Sequence, residues 1–233
     1  MDFCSIASGS SGNCIFVGTD HTNVLIDAGI SGKRVTEGLH VIDRDPKELD
    51  AILITHEHSD HIKGLGVLAR KYGIPVYSTQ GTIQTMLEQN MLGKVDSSLF
   101  HTVAPDIRFE IGELAVLPFR VSHDAAEPVA YRFSCGEKSV AVATDLGYYD
   151  DYIVDHLRGL DAVLIESNHD INMLQVGSYP YYLKQRILGR KGHLSNDNAG
   201  RLLGEILNDR MKAVMLGHLS RENNYEALAM ATV

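Results

Sequence analysis

Apolar positions recur along this chain with two different periods, and each change of period marks an element. Cys14 to Val17 and Asn23 to Asp27 read as strands, with Gly18-Thr19-Asp20 turning between them. Ser31 to Ile42 reads as a helix and Ala51 to Thr55 as a buried strand. Ile62, Leu65, Leu68 and Ala69 share a face of a helix over Ile62 to Tyr72, which Gly73 and Pro75 end. Ile107 to Ser122 reads as a hairpin turning near Gly112-Glu113. Val129 to Phe133 and Ser139 to Thr144 make another around Cys135-Gly136-Glu137. Strands at Ala162 to Ile165 and Ala213 to Leu216 bracket helices at about Tyr181 to Leu188 and Asn198 to Leu207. No Pro-rich or Ser-rich linker interrupts the pattern, so a single α/β domain over 1–233 is expected, an αββα sandwich of two mixed β-sheets flanked by helices. Asn224 to Val233 starts a helix and stops with no cap or following element, which reads as a C-terminal end cut short.

Composition adds the setting. At 233 residues, 44% hydrophobic and 22% charged, the chain has the makeup of a soluble globular protein with a substantial core. Met1-Asp2-Phe3-Cys4 is acidic where a signal peptide is basic, and runs such as Ala51-Ile52-Leu53-Ile54 fall far short of the roughly 18 apolar residues that span a bilayer. Cys4, Cys14 and Cys135 are odd in number and scattered, which reads as reduced thiols filling space in a cytoplasmic protein.

The chemistry concentrates at one strand end. Ala51 to Thr55 runs into His56-Glu57-His58-Ser59-Asp60-His61, and a helix starts immediately after. On extended chain His56 and His58 point to one side, and Asp60 and His61 sit on the turn into the helix, free to lean towards the same point. Four potential ligands in six residues suit a metal centre better than an exposed polar loop. The zincin helix is excluded because Asp60, not His, stands four residues after His56. With no Cys nearby and imidazole mixed with carboxylate, the set fits catalytic Zn²⁺, Mn²⁺ or Fe rather than a structural zinc.

His56-x-His58-x-Asp60-His61 resembles the central motif of the metallo-β-lactamase superfamily, and the rest follows in that superfamily's order. His123 follows a strand in Val121-Ser122-His123-Asp124, Asp145 ends one in Ala143-Thr144-Asp145-Leu146-Gly147, and His218 ends the last in Leu216-Gly217-His218-Leu219-Ser220. Asp27, in Leu25-Ile26-Asp27-Ala28-Gly29, matches the strand-end Asp that braces the site. The resemblance spans nearly the whole chain. It implies the metallo-β-lactamase fold and two divalent metal ions, Mn or Zn, one held by His56, His58 and His123, the other by Asp60, His61 and His218, with Asp145 bridging. A lone strand-end His is usually a satisfied structural residue. Only their place in this order singles out His123 and His218, and His21, His40, His101 and His156 have no such support. No organic cofactor and no membrane contact are expected.

Within the superfamily, Asp145 stands where the antibiotic-degrading lactamases carry Cys, and His58 where the diiron oxidoreductases carry Glu, which leaves hydrolysis of something other than a β-lactam. Gly192-His193-Leu194-Ser195-Asn196, ahead of a helix, resembles the nuclease and phosphodiesterase branch, which includes the tRNA 3′-processing enzymes; there the His corresponding to His193 contacts the scissile phosphate. Ser195 and Asn196 either offer helix-start donors to an anion or simply cap the helix. Lys184, Arg186, Arg190 and Lys191 form either a phosphate-tracking edge or a solvated helix face. Ser8-Gly9-Ser10-Ser11-Gly12-Asn13 is either a phosphate nest or a tight turn. The net charge of −9 argues against a nucleic-acid partner, but two dications would bring about four positive charges into one cleft.

Ala7 to Asn13, Glu166-Ser167-Asn168-His169-Asp170, Gly192 to Asn196 and His218-Leu219-Ser220 to Asn223-Asn224 together resemble the bacterial YycJ/WalJ-like family. That resemblance implies a 5′→3′ DNA exonuclease, active with manganese, linked to DNA repair and acting on DNA ends. Asp60 and His193 are then the catalytic candidates, Asp60 orienting the nucleophile and His193 stabilising the phosphate or protonating the leaving oxygen. Ser195, Asn196, Lys184 and Arg186 are the substrate-binding candidates. His169 and Asp170 match the family's run without a chemical role. The rival readings are an RNA or cyclic-nucleotide phosphodiesterase, a thioester or lactone hydrolase with an enclosed pocket, and a non-catalytic regulatory partner, against which the complete ligand set speaks.

Overall fold

The computed structural model describes residues 1–233. The first six strands, β1 (Asp2–Ala7), β2 (Cys14–Gly18), β3 (Asn23–Ile26), β4 (Ala51–Leu53), β5 (Val76–Thr79) and β6 (Phe100–Val103), lie side by side in chain order. β1, β2 and β3 pair antiparallel, and β3 to β6 pair parallel. The second sheet repeats the scheme with β7 (Phe109–Ile111), β8 (Leu114–Arg120), β9 (Val129–Cys135), β10 (Lys138–Ala143), β11 (Ala162–Glu166) and β12 (Ala213–Gly217). It is antiparallel from β7 to β10 and parallel from β10 to β12. Helices α1 (Gly32–Val41), α2 (Ser59–Ile62), α3 (Leu65–Tyr72) and α4 (Gln80–Glu88) join strands of the first sheet. The second half carries α5 (Asp151–Leu157), α6 (Ile171–Val176), α7 (Tyr181–Leu188), α8 (Asn196–Ile206) and α9 (Glu226–Thr232). No helix is long and apolar enough to cross a membrane.

Period-two alternation explains the layers. β2 is buried on both faces: Cys14 and Phe16 turn to α1 and α3, while Ile15 and Val17 turn to the opposite sheet. The central layer between the sheets holds Val24, Ile26 and Leu53 against Val116, Tyr131, Phe133 and Leu164. The outer face of the second sheet, with Phe119, Ala141 and Val163, is covered by Val154 of α5 and Leu202 of α8. The result is the αββα sandwich expected from the pattern. Tyr131 crosses the central layer and donates its hydroxyl to the Ile54 carbonyl at 2.9 Å, just behind the histidine-rich turn.

Three differences from the expected elements have local causes. The helix expected from Ile62 to Tyr72 is two pieces, α2 and α3, because Gly64 packs on backbone: a Cβ there would stand 2.3 Å from the Ile30 carbonyl oxygen. α8 starts at Asn196, two residues early, where the Ser195 hydroxyl accepts from the Asn198 amide at 3.3 Å. β1, β5, β6, α4, α5 and α6 are elements beyond those expected; β1 is half-exposed along most of its length and α6 buries only Leu174, so neither carries a clear period of its own.

Candidate metal centre

Parallel strands deliver their C-terminal loops to one edge, and the reactive side chains gather there. Asp27 follows β3, Thr55 and His56 follow β4, Asp145 follows β10, Glu166 closes β11 and His218 follows β12. Asp27, Asp145 and His218 adopt left-handed backbone, with φ of 60°, 59° and 55°. Such conformations cost about 1–3 kcal/mol each outside glycine and persist where surrounding contacts enforce them, commonly at functional sites. Here the contacts are visible. The Asp27 carboxylate accepts from the Thr55 amide at 2.9 Å and from His61 Nδ1 at 2.7 Å, which fixes both ends of the Thr55–His61 turn. The His218 amide donates to Ser8 Oγ at 2.9 Å, and its carbonyl accepts from Asn168 Nδ2 at 2.9 Å.

All seven residues singled out as ligands converge on this edge, in two groups that meet at Asp145. His56, His58 and His123 form one group, and Asp60, His61 and His218 the other, with the ligating atoms of each lying within 4.8 Å of one another. His58 Nδ1 is 3.3 Å from His123 Nε2. Asp60 Oδ2 is 3.5 Å from His61 Nε2 and 3.4 Å from His218 Nε2. Asp145 reaches both sides, Oδ1 at 3.6 Å from His123 Nε2 and Oδ2 at 3.3 Å from His61 Nε2. Four of the five imidazoles are aimed by the far nitrogen: His61 Nδ1 by Asp27, His218 Nδ1 by Glu166, His123 Nδ1 by the Gly192 carbonyl at 3.0 Å, and His56 Nδ1 by Thr55 Oγ1 at 3.0 Å.

Two atoms test whether this cluster fits a cation. His56 Nε2 and Asp145 Oδ2 are buried without any hydrogen-bond partner, and both belong to one ligand-sized group with His61. Buried acceptors are rarely left unpaired unless a water or ion serves them. The mixed imidazole and carboxylate donors are those of a divalent metal. The residues therefore fit.

Protonation accounts for the charge when no cation is bound. Burial, with the His61 charge beside it, keeps His56 well below the usual imidazole range, leaving a lone pair free. Burial works against a charge on His218, yet Asp145, Asp60 and Glu166 outweigh it and push its pKa up to about 10. His61 is likewise raised well above its ordinary value, burial being outweighed by Asp27 and Asp145. Since a metal-bound imidazole is neutral at the ligating nitrogen, Mn²⁺ binding to metal-free protein at pH 8 is expected to release protons. The sign follows from a raised pKa: the proton is present at pH 8 and must leave, so affinity rises with pH. Calorimetry in two buffers of different ionisation enthalpy measures this release; equal heats in both would contradict the protonation assigned here.

Glu166, to which the sequence alone assigns no role, stands behind the cluster. Fully buried, it accepts from His218 Nδ1 at 2.7 Å, His193 Nδ1 at 2.8 Å, the Leu146 amide at 2.8 Å and the Leu194 amide at 3.0 Å. Burial opposes its charge, but His193 and His218 hold its carboxyl at about 2. Its signal was legible: Ala162-Val163-Leu164-Ile165-Glu166 ends an apolar strand on an acid, as the Asp27 and Asp145 segments do. His193 stands at the mouth of the cleft, a fifth exposed, its ring centroid 5.0 Å from His123 and 5.2 Å from His218.

The substrate-binding candidates need correction. Asn196 is fully buried, its side chain bonded to Ser167 Oγ at 2.6 Å and to Asn224, and Ser195 is spent on capping α8; both brace the loop that carries His193 and neither faces the cleft. Lys184 Nζ donates to the Gln175 and Gly177 carbonyls at 2.8 and 2.7 Å and so ties α7 to the end of α6. Arg186 does line the cleft, paired through Nε with Asp124. The Ser8–Asn13 segment braces the site: Asn13 Nδ2 lies 3.1 Å from His61 Nε2, and a Cβ at Gly12, whose φ is 147°, would stand 2.6 Å from the Gly29 carbonyl oxygen. Asp170 caps α6, and His169 is buried with Nδ1 at 3.3 Å from Asn168 Oδ1.

The cleft itself encloses about 180 Å³ and is lined by Asp60, His123, His193, His218, Arg186 and Tyr179 among others. A larger hollow of about 1270 Å³, around the Cys135–Lys138 turn and Arg210, includes none of the clustered ligands.

An αββα sandwich with this edge defines a class, the metal-dependent hydrolases, and the sequence profile of the Beta-lactamase superfamily domain matches residues 22–218: the chain belongs to the metallo-β-lactamase superfamily. It is 48% identical over 228 residues to Exodeoxyribonuclease WalJ of Streptococcus pneumoniae, covering 98% of this chain and 85% of that protein. It is 41% identical over 235 residues to Exodeoxyribonuclease YycJ of Bacillus anthracis, covering 100% of this chain and 88% of that one. Within the superfamily it is thus a YycJ/WalJ-like protein. Among solved structures, the metallo-β-lactamase fold protein YhfI of Bacillus subtilis superposes with a TM-score of 0.74 over 99% of this chain and 90% of that one, at 19% identity, and so shares the fold.

Proposed function

We propose that this chain is a dinuclear-metal 5′→3′ DNA exonuclease serving DNA repair in the cytoplasm, with Mn²⁺ or Zn²⁺ as its metals and DNA ends as its substrate. The observation that carries the reading is the pair of ligand groups meeting at Asp145, in a chain aligned nearly end to end with two exodeoxyribonucleases. His56, His58 and His123 would hold one ion, Asp60, His61 and His218 the other, with Asp145 between them. Bound there, the pair would supply an activated water and neutralise charge on a phosphodiester oxygen.

The chain's own groups do the rest. Glu166 accepts a hydrogen bond from His193 Nδ1, which leaves Nε2 to the cleft, where the ring, when it carries a proton on both nitrogens, donates to a phosphate oxygen or to the leaving oxygen. Asp60 would combine ligation with partial exposure, its side chain being 27% accessible, and is placed to accept a proton from the attacking water. Arg186, at the same cleft, offers charge to the substrate backbone.

Incubation of linear and covalently closed circular DNA of the same sequence with the Mn²⁺-loaded protein tests this. The linear form is expected to disappear while the circle persists. Loss of both forms at equal rates would mean an endonuclease, and persistence of both would return the protein to the RNA, cyclic-nucleotide or thioester readings.

A further inference from the structure

Alone among the nine helices, α7 buries none of its residues. Core packing therefore does not account for its sequence. Leu183, Arg186 and Ile187, with Tyr179 just ahead of the helix, line the cleft onto which Asp60 and His193 open. At about 100° per residue, Tyr182 falls on the flank of that row, one turn from Arg186 on the same strip of surface. Tyr181 falls on the opposite side. Both rings are open to solvent, Tyr182 at 74% and Tyr181 at 76% exposure. Lys184 anchors the helix through the two carbonyls at the end of α6, so the strip is held in place beside the cleft.

Charge singles out the same stretch. In a chain with 30 acidic and 21 basic residues, no acid occurs between Asp170 and Asp197, while Lys184, Arg186, Arg190 and Lys191 all do. An exposed tyrosine and a half-buried one beside Arg186, at the edge of that cleft, have the composition that holds single-stranded nucleic acid, bases on rings and phosphate on the cation.

We propose that Tyr182 and Tyr179, together with Arg186, form a stacking lip that receives the unpaired bases of the DNA strand next to the phosphate being cut. This rests on the nuclease reading above and names the part of the substrate that the protein grips. Because every base presents a π-face, the lip tolerates any sequence, and a duplex end must unpair by a nucleotide or two to reach it.

The test uses Mn²⁺-loaded protein and a single-stranded oligonucleotide with phosphorothioate linkages that resist cutting, carrying 2-aminopurine near its 5′ end. Wild type is expected to bind and quench the fluorescent base. Tyr182→Ala and Tyr179→Ala should each weaken binding about tenfold and relieve the quench, while Tyr182→Phe keeps both. Tyr181→Ala, equally exposed on the far side, should match wild type. A Tyr182→Ala protein that binds and quenches like wild type overturns the lip, as does an equal loss in Tyr181→Ala. If wild type digests unmodified DNA in either of those cases, the nuclease reading survives; if wild type neither binds nor digests DNA, both fall together.

Discussion

Asp60→Ala is expected to lose hydrolysis by about a thousandfold or more, with the fold intact, because a ligand and the group facing the attacking water disappear together. Asp60 belongs to none of the three hydrophobic clusters, so its removal opens no cavity in the core. The neighbouring imidazoles stay aimed without it: His61 keeps its bond to Asp27, and His218 keeps its bond to Glu166. His58→Ala should behave alike, its side chain being 30% exposed. Metal content, circular dichroism and turnover measured on each variant decide the matter. Either variant retaining near-wild-type turnover would remove that residue from the site.

Glu166→Ala is expected to fail differently, through stability. Four donors converge on this one buried carboxylate. Removing it leaves the His218 charge and two backbone amides without their acceptor inside the protein. Breaking a buried pair in this way costs about 3–5 kcal/mol, a large part of a domain's total. Metal affinity should fall as well, since Glu166 fixes which nitrogen of His218 faces the cluster. His193→Ala gives the contrasting outcome: slowed catalysis with metal content kept, and a smaller loss of stability than Glu166→Ala, since Glu166 keeps its bonds to His218 and the two amides. Chemical denaturation and metal analysis of both variants separate the cases. A Glu166→Ala protein as stable as wild type would show that the four bonds contribute little, and metal loss in His193→Ala would put that imidazole among the ligands.

Much of the candidate site is legible because metal ligands would need particular side chains at particular strand ends, and a strand end announces itself when an apolar run stops on His or Asp. His56 to His61, His123, Asp145 and His218 all follow that rule, and the structure gathers them at one edge. Glu166 obeys it too, but it acts through two other residues, and nothing in a lone strand-end acid reveals whom it will meet. Ser195 and Asn196 misled for a related reason. Polar residues at a helix start serve an anion or the helix with equal chemistry, and only burial distinguishes the two. In the fold, elements buried on a full face were clear, as β2 and β11 show, whereas β1 and α6 lean on neighbours that the local sequence does not describe.

Metal-dependent removal of nucleotides from 5′ ends is tested by linear duplex DNA labelled at either the 5′ or the 3′ end. Both substrates are incubated with Mn²⁺ and wild-type protein, and with His58→Ala alongside. Early release of 5′-terminal mononucleotides by wild type, late loss of the 3′ label, and neither with His58→Ala is the expected result. Early release of the 3′ label, or equal digestion by His58→Ala, would contradict it.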